Sequence, residues 1–237
     1  LMLYTSSPGK FTQKYVRWGE KQPVLIKRGT RKGETVIGYH NLESNSNRDP
    51  WYALSDAILP SHLLLIRFID VRHFDLLSEQ EILTDQTACL LYPFRSDGTR
   101  GPDLSDYIPF WVYANSIIFL ISKELYGMRM GGAALQLYTK AFTDMPVFDL
   151  SKFRVPPNFN YAQIVDVKKI QDEMASRSRM DFDLEVLKLM GISNPEQLLP
   201  KLYEAMSFIV DDRLVKGKRY AQRMTSETNE ESSDYEN

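Results

Sequence analysis

The chain has 237 residues, a net charge of −2, 43% hydrophobic and 25% charged residues, which excludes a wholly disordered or fibrous protein and fits one large or two small globular domains. Its one cysteine, Cys89, excludes an internal disulfide framework, and the apolar neighbours Ala88, Leu90 and Leu91 point to a buried thiol in a reducing compartment. The longest charge-free apolar stretch, between Asp106 and Lys123, is 16 residues with Asn115 and Ser116 in its middle, so the expectation is a buried helix rather than a membrane span.

In chain order, residues 1–22 are polar with aromatics Tyr4, Phe11, Tyr15 and Trp18 at irregular intervals, which reads as a loop or short surface helix. Residues 23–26 and 35–39 read as strands flanking the basic, glycine-bearing turn of residues 27–33, the pattern of a hairpin or of neighbouring strands joined by a loop. A polar loop over 41–49 leads to Pro50-Trp51-Tyr52. Residues 62–74 form the strongest strand candidate of the front half, with further β structure at 81–83 and 87–92 and a Gly/Pro/Asp-rich loop at 94–106. The second half reads as helical. The expected helices are 108–126, stopped by Gly127; 161–177, with apolar residues at near-helical spacing; 181–190, stopped by Gly191; and a last one opened by Asn194-Pro195 that frays after Arg213. Between the first two of these lie the Gly131-Gly132 pair, a short β-like run at 134–138 and a Met145-Pro146-Val147 exit. The fold class expected is α+β: residues 1–150 a β-rich domain with the central helix, 151–223 a helical extension, and 224–237 an acidic disordered tail.

The charge is divided along the chain. Residues 1–40 carry eight Lys or Arg against Glu20 and Glu34, while residues 224–237 hold five acidic residues and no Lys or Arg. A basic front suits a phosphate backbone and equally suits a solvated surface. Catalytic signatures are missing: there is no G-x-G-x-x-G and no P-loop, no G-x-S-x-G, and His40, His62, His73 and Cys89 lack metal-ligand spacing. With no secretory signal at the N-terminus, a cytoplasmic protein is expected. The chain opens Leu1-Met2, so a piece of something longer is expected.

The central segment resembles the C-terminal target-recognition region of adenine-specific DNA methyltransferases of restriction–modification systems, and is similar in pattern to type I specificity subunits. The matching residues are Asn115-Ser116, Tyr126-Gly127, Gly131-Gly132-Ala133, Leu135-Gln136-Leu137 and Met145-Pro146-Val147. Pro50-Trp51-Tyr52 and Asp85-Gln86-Thr87 resemble the β part of that region, and residues 183–213 its helical tail, so the likeness covers about 23–215. It implies the DNA-reading half of such an enzyme. The S-adenosylmethionine site and catalytic motifs are expected outside this chain, on an N-terminal methyltransferase domain, and no cofactor is expected in this fragment.

The implied partner is double-stranded DNA. Arginine reads guanine, Asn or Gln reads adenine, and basic side chains hold phosphates. By residue type and loop position the candidates are Lys27, Arg28, Arg31 and Lys32 in the basic turn, Asn45, Asn47 and Arg48 in the polar loop, Arg67, Arg72 and His73, Arg95 and Arg100 in the Gly/Pro loop, and Arg129 beside Gly131 and Gly132. Each has a bland counterpart: solvated loop cations, pairing of Arg67 and Arg72 with Asp70 or Asp75, and a glycine pair that only permits a turn. Asn115 is expected to be hydrogen-bonded inside the core. Two other readings stand beside this one. One is a scaffold module docking on a partner subunit through the C-terminal helices and acidic tail. The other is an enzyme using Asp49-Pro50-Trp51-Tyr52, which resembles the Asp/Asn-Pro-Pro-Tyr/Phe loop of amino-group methyltransferases with Trp51 in place of the second proline; packing roles for Trp51 and Tyr52 are the simpler reading.

Overall fold

The computed structural model describes residues 8–45, 48–53, 59–130, 133–161 and 167–233, the last thirteen as backbone helix only. With 44% helix and 17% strand, sheets toward the front and helices toward the end, the class is α+β. The chain forms two compact units, Leu1–Leu59 and Pro60–Asn237. This boundary differs from the one expected at 150/151, because the C-terminal helices build one core with the central segment rather than a separate domain.

Unit 1 contains helix α1 (Lys10–Gly19) and the antiparallel strands β1 (Pro23–Leu25) and β2 (Thr35–Ile37), with Val24 opposite Val36. The expected hairpin is present. Its long turn is bracketed by Gly29 and Gly33 at φ 86° and 94°, a conformation costly for any residue with a Cβ. Gly19 ends α1 where a Cβ would lie 3.3 Å from the Trp51 ring.

In unit 2, β3 (Ser61–Ile66) lies between β5 (Asp75–Ile82) and β6 (Ala88–Leu91) in an antiparallel sheet. Its residues Ser61 to Leu65 are buried on both faces, which is why the run His62-Leu-Leu-Leu does not alternate. The strand expected over 62–74 stops at Arg67; β4 (Phe68–Ile69) leaves for a second small sheet with β7 (Met128–Arg129) and β8 (Leu135–Gln136).

The single helix expected over 108–126 is two helices, α2 (Leu104–Ala114) and α3 (Ile117–Tyr126), bent by 70° at Asn115-Ser116. The polar pair makes the bend affordable. Asn115 accepts the Asp75 N–H at 3.0 Å and donates to Trp111 O at 2.9 Å; Ser116 Oγ donates to Tyr113 O at 2.6 Å. On the far side, Ile117 N–H donates to the Asp183 carboxylate at 2.8 Å, an anion at the start of α3. Asn115 is thus hydrogen-bonded in the core, as expected. After α4 (Thr139–Asp144), the helix expected over 161–177 is confined to α5 (Ile170–Met174) among the described residues. Next come α6 (Arg177–Leu189) and α7 (Pro195–Ser233).

Helix α7 does not fray after Arg213 but runs through residues 224–233, where a disordered tail was expected; residues 234–237 lie outside the described residues. Between Gly217 and Ser233 there is no proline or glycine, and Ala, Gln, Arg, Met and Glu are good helix formers. One apolar cluster gathers Leu63, Leu65, Tyr107, Phe119, Leu135, Phe153 and Phe182; a second joins Ile117 and Leu120 of α3 to Ile170, Leu187, Met206 and Val210. Helix α3 belongs to both. Among the described residues no single helix is long and apolar enough to cross a membrane.

Candidate nucleic-acid interface

The cations of the front half are gathered by local structure in unit 1. The β1–β2 turn exposes Lys27, Arg28, Arg31 and Lys32 together. Of the four, among the described residues, only Arg31 has an ion-pair partner, Glu34 at 2.8 Å. Because that pair is exposed, its charge is offset only weakly. Beside the turn is a groove of about 490 Å³, lined by Ile26, Lys27, Arg28, Arg31, Leu42 and Glu43. Asn45 donates to Tyr39 O at 2.9 Å, a packing role for the loop that follows. Arg48 is exposed in that loop, and Asn47 lies outside the described residues.

Unit 2 uses its candidate cations differently. Arg67 Nε donates to Leu137 O at 2.9 Å and its guanidinium lies over the Tyr138 ring, tying β4 to the segment after β8. Arg95 sits 2.8 Å from Asp106 and 3.3 Å from Asp103 at the start of α2. Arg100 bonds Glu81 at 2.5 Å and Pro60 O at 2.6 Å, and stacks over the Tyr92 ring at 4.5 Å. Arg129 pairs with Asp212 of α7 at 2.9 Å. Arg72 is exposed in the turn between β4 and β5. Gly131 and Gly132 lie outside the described residues.

His73 corrects the expectation of a surface contact. It is 2% exposed, with Nε2 3.0 Å from Glu124 Oε1. Burial drives its pKa below the ordinary 6.5, against the pull of Glu124, so the ring is neutral at pH 7 and no phosphate or base reaches it. Burial alone raises a carboxyl pKa, but the nearby His73 ring and the hydrogen bonds from Arg213 outweigh it and hold Glu124 below the usual range.

Sequence reasoning missed the network around this histidine. Arg213 of α7 is 1% exposed; it bonds Glu124 at 2.9 and 2.8 Å, Asp70 O at 2.6 Å, and the carbonyl of Ala133. Ala133 itself has φ 72°, and a Cβ on Gly217 of α7 would overlap it, so the backbone at Ala133, just before β8, is clamped onto α7. One residue before Glu124, Lys123 donates to Asp75 at 2.6 Å in full burial. Burial pushes the Asp75 carboxyl up and the Lys123 ammonium down, each opposed by the other's charge. Arg179 joins Asp183 and Glu173 at 2.8 and 3.2 Å and donates to Asn115 O at 2.7 Å. These charges hold the helices around α3 together. They are not placed to meet a ligand.

The Asp49–Tyr52 run does not fit a loop that holds a base or a methyl-donor cofactor. Trp51 Nε1 donates to Glu20 at 3.2 Å, its ring stacks on Tyr39 at 6.4 Å, and Tyr52 meets it edge-on at 5.8 Å. Both aromatics are engaged in packing unit 1. Among the described residues no group of three or more His, Cys, Asp or Glu could hold a metal ion.

The short surface helix that was one of the two readings of residues 1–22 is present as α1, but its basic row was passed over. There Lys10, Lys14 and Arg17, with Lys21 just beyond the helix, are exposed on one face. The spacing i, i+4, i+7 was the available signal. Comparison with protein-family models, curated proteins and solved structures finds no significant match for this chain.

Proposed function

We propose that this chain binds double-stranded DNA through unit 1, as the target-recognition part of an adenine-specific DNA methyltransferase whose methyl-donor site lies elsewhere. The observation that carries the reading is the glycine-bearing turn with four exposed cations, three of them outside any ion pair among the described residues, beside an open groove. Cations held for folding are paired or buried; cations left in water on a protruding turn are available to phosphates. In this reading Arg28 and Arg31 are the side chains suited to a guanine edge, and Lys27 and Lys32 hold the backbone.

The test is fluorescence anisotropy with a labelled duplex across a salt series. Wild type binds with an affinity that falls steeply with salt. The variant Lys27→Gln/Arg28→Gln/Arg31→Gln/Lys32→Gln loses at least about tenfold in affinity at low salt, and its salt slope flattens by about 0.9 per phosphate contact removed. A wild type whose affinity for duplex is absent or indifferent to salt overturns the reading.

A second reading, a module that docks on a partner subunit, is favoured by α7, where Phe208 and Val215 are exposed one heptad apart at 75% and 48%. In that case a Phe208→Ser/Val215→Ser variant abolishes capture of the partner and leaves DNA binding unchanged.

A further inference from the structure

The aromatics of the N-terminal segment look irregular in the sequence and become regular on α1. Three dipeptides repeat at helical spacing: Lys10-Phe11, Lys14-Tyr15 and Arg17-Trp18. Each puts a cation and an aromatic ring side by side. The helix therefore carries two parallel rows, Lys10, Lys14, Arg17 and Lys21 in one, Phe11, Tyr15 and Trp18 in the other, about a quarter turn apart. Both rows face water: Phe11 is 84%, Tyr15 46% and Trp18 48% exposed. The inward face is Val16 and Gly19. Tyr15 and Trp18 already stack on one another, with centroids 5.2 Å apart and planes inclined by 29°.

A contiguous row of exposed rings beside a row of cations matches a partner that is flat and apolar on one side and anionic on the other. At a rise of about 1.5 Å per residue, the ring positions step by about 6 and then about 4.5 Å along the helix axis, and the cations step alike. Both steps exceed the about 3.4 Å between stacked nucleotides in a duplex strand, where the base faces are in any case hidden. An unstacked strand has both the longer step and free base faces. A membrane surface is served less well: in an interfacial helix the apolar face lies opposite the polar one, with cations along its borders, whereas here the rings are bordered by cations on one side and by the core of unit 1 on the other.

From this geometry we propose that α1 is a platform for unpaired nucleotides, with bases stacked on Phe11 and on the Tyr15–Trp18 pair and phosphates along Lys10, Lys14 and Arg17. The proposal rests on the nucleic-acid reading of unit 1 and names a further ligand for it, single-stranded DNA such as the region opened when a base leaves the helix.

The test is anisotropy at low salt with labelled oligo(dT) and, separately, with a duplex of equal length, for wild type and for Phe11→Ala/Tyr15→Ala. Neither of those side chains is buried in the core, and circular dichroism checks that the fold is intact. The expected result is a loss of about tenfold in oligo(dT) affinity with duplex affinity within about twofold of wild type. A Lys10→Gln/Lys14→Gln variant is expected to flatten the salt dependence of oligo(dT) binding. Wild type that binds oligo(dT) and not duplex, with the aromatic variant impaired, supports the platform and overturns the duplex reading. Unchanged oligo(dT) affinity in the aromatic variant, equal losses on both DNAs, or binding to phosphatidylserine vesicles that the variant loses while oligo(dT) binding persists, each overturns the platform; the duplex reading survives those results wherever duplex binding is itself salt-dependent.

Discussion

The two units use ionic side chains in opposite ways. Unit 1 has nine Lys or Arg against five Asp or Glu and keeps its cations at the surface on α1 and on the hairpin turn; unit 2 has 20 against 26 and takes Lys123, Arg179 and Arg213 inside, each against carboxylates. A buried charge is costly to bring in and more costly to orphan, so it fixes a specific arrangement of elements; an exposed one contributes little to folding and is free to act at a distance on a ligand. The contrast separates residues of the same type: Arg213 is a structural bolt, whereas Arg28 is an exposed cation that the proposed interface uses.

The contrast breaks most visibly at Arg213. Arg213→Met leaves Glu124 buried beside a neutral histidine and strips the carbonyls of Ala133 and Asp70 of their donor. Denaturant unfolding is expected to show a loss of about 3–5 kcal/mol. A loss under about 1 kcal/mol, the scale of a surface pair, would erase the distinction between the units. Next in size is Gly217→Ala, which drives a methyl into Ala133; unfolding is expected to show a loss of about 1–3 kcal/mol although alanine is the better helix former. Stabilisation there would mean that Ala133 is not clamped to α7.

Acidity sharpens the comparison further. His73 has a folded pKa below its ordinary 6.5, so below pH 6.5 the unfolded chain takes up a proton that the folded chain refuses. Stability is therefore complete above pH 6.5 and declines as pH falls from there toward the folded value. Glu124, depressed below its ordinary 4.5, adds a further loss as pH falls below 4.5. Melting temperature measured from pH 7.5 to 5 is expected to drop, and His73→Gln to flatten that drop. The smallest effect is expected at Arg95, an exposed cation paired with Asp106: Arg95→Ala leaves the denaturation midpoint nearly unchanged and duplex affinity intact, whereas a large loss of DNA binding would move the interface into unit 2.

How much of this was legible depended on the range over which each feature is determined. The hairpin at 23–37 was readable because its signals, two short apolar runs and glycines in a basic turn, are all local. The hydrogen-bonded role of Asn115 was readable because a polar residue inside an apolar run needs partners. The bend at Asn115-Ser116 was not, since it is satisfied by Asp75 and Asp183, which lie 40 and 66 residues away. Lys123 stood in the sequence only as the charged end of an apolar stretch, and its partner is 48 residues upstream. His73 and Arg213 belong to a cluster assembled from β4–β5, α3 and α7, which no spacing rule anticipates. The basic and aromatic rows of α1 were local and were passed over because segment 1–22 was read along the line rather than around a helix.

The claim that unit 1 meets the nucleic acid is tested most directly by hydrogen exchange of the whole chain with and without saturating duplex at low salt. The account predicts slowed exchange across the turn of residues 26–33 with no change around residues 95–106. Protection confined to unit 2, with residues 26–33 exchanging as in the free protein, would contradict it.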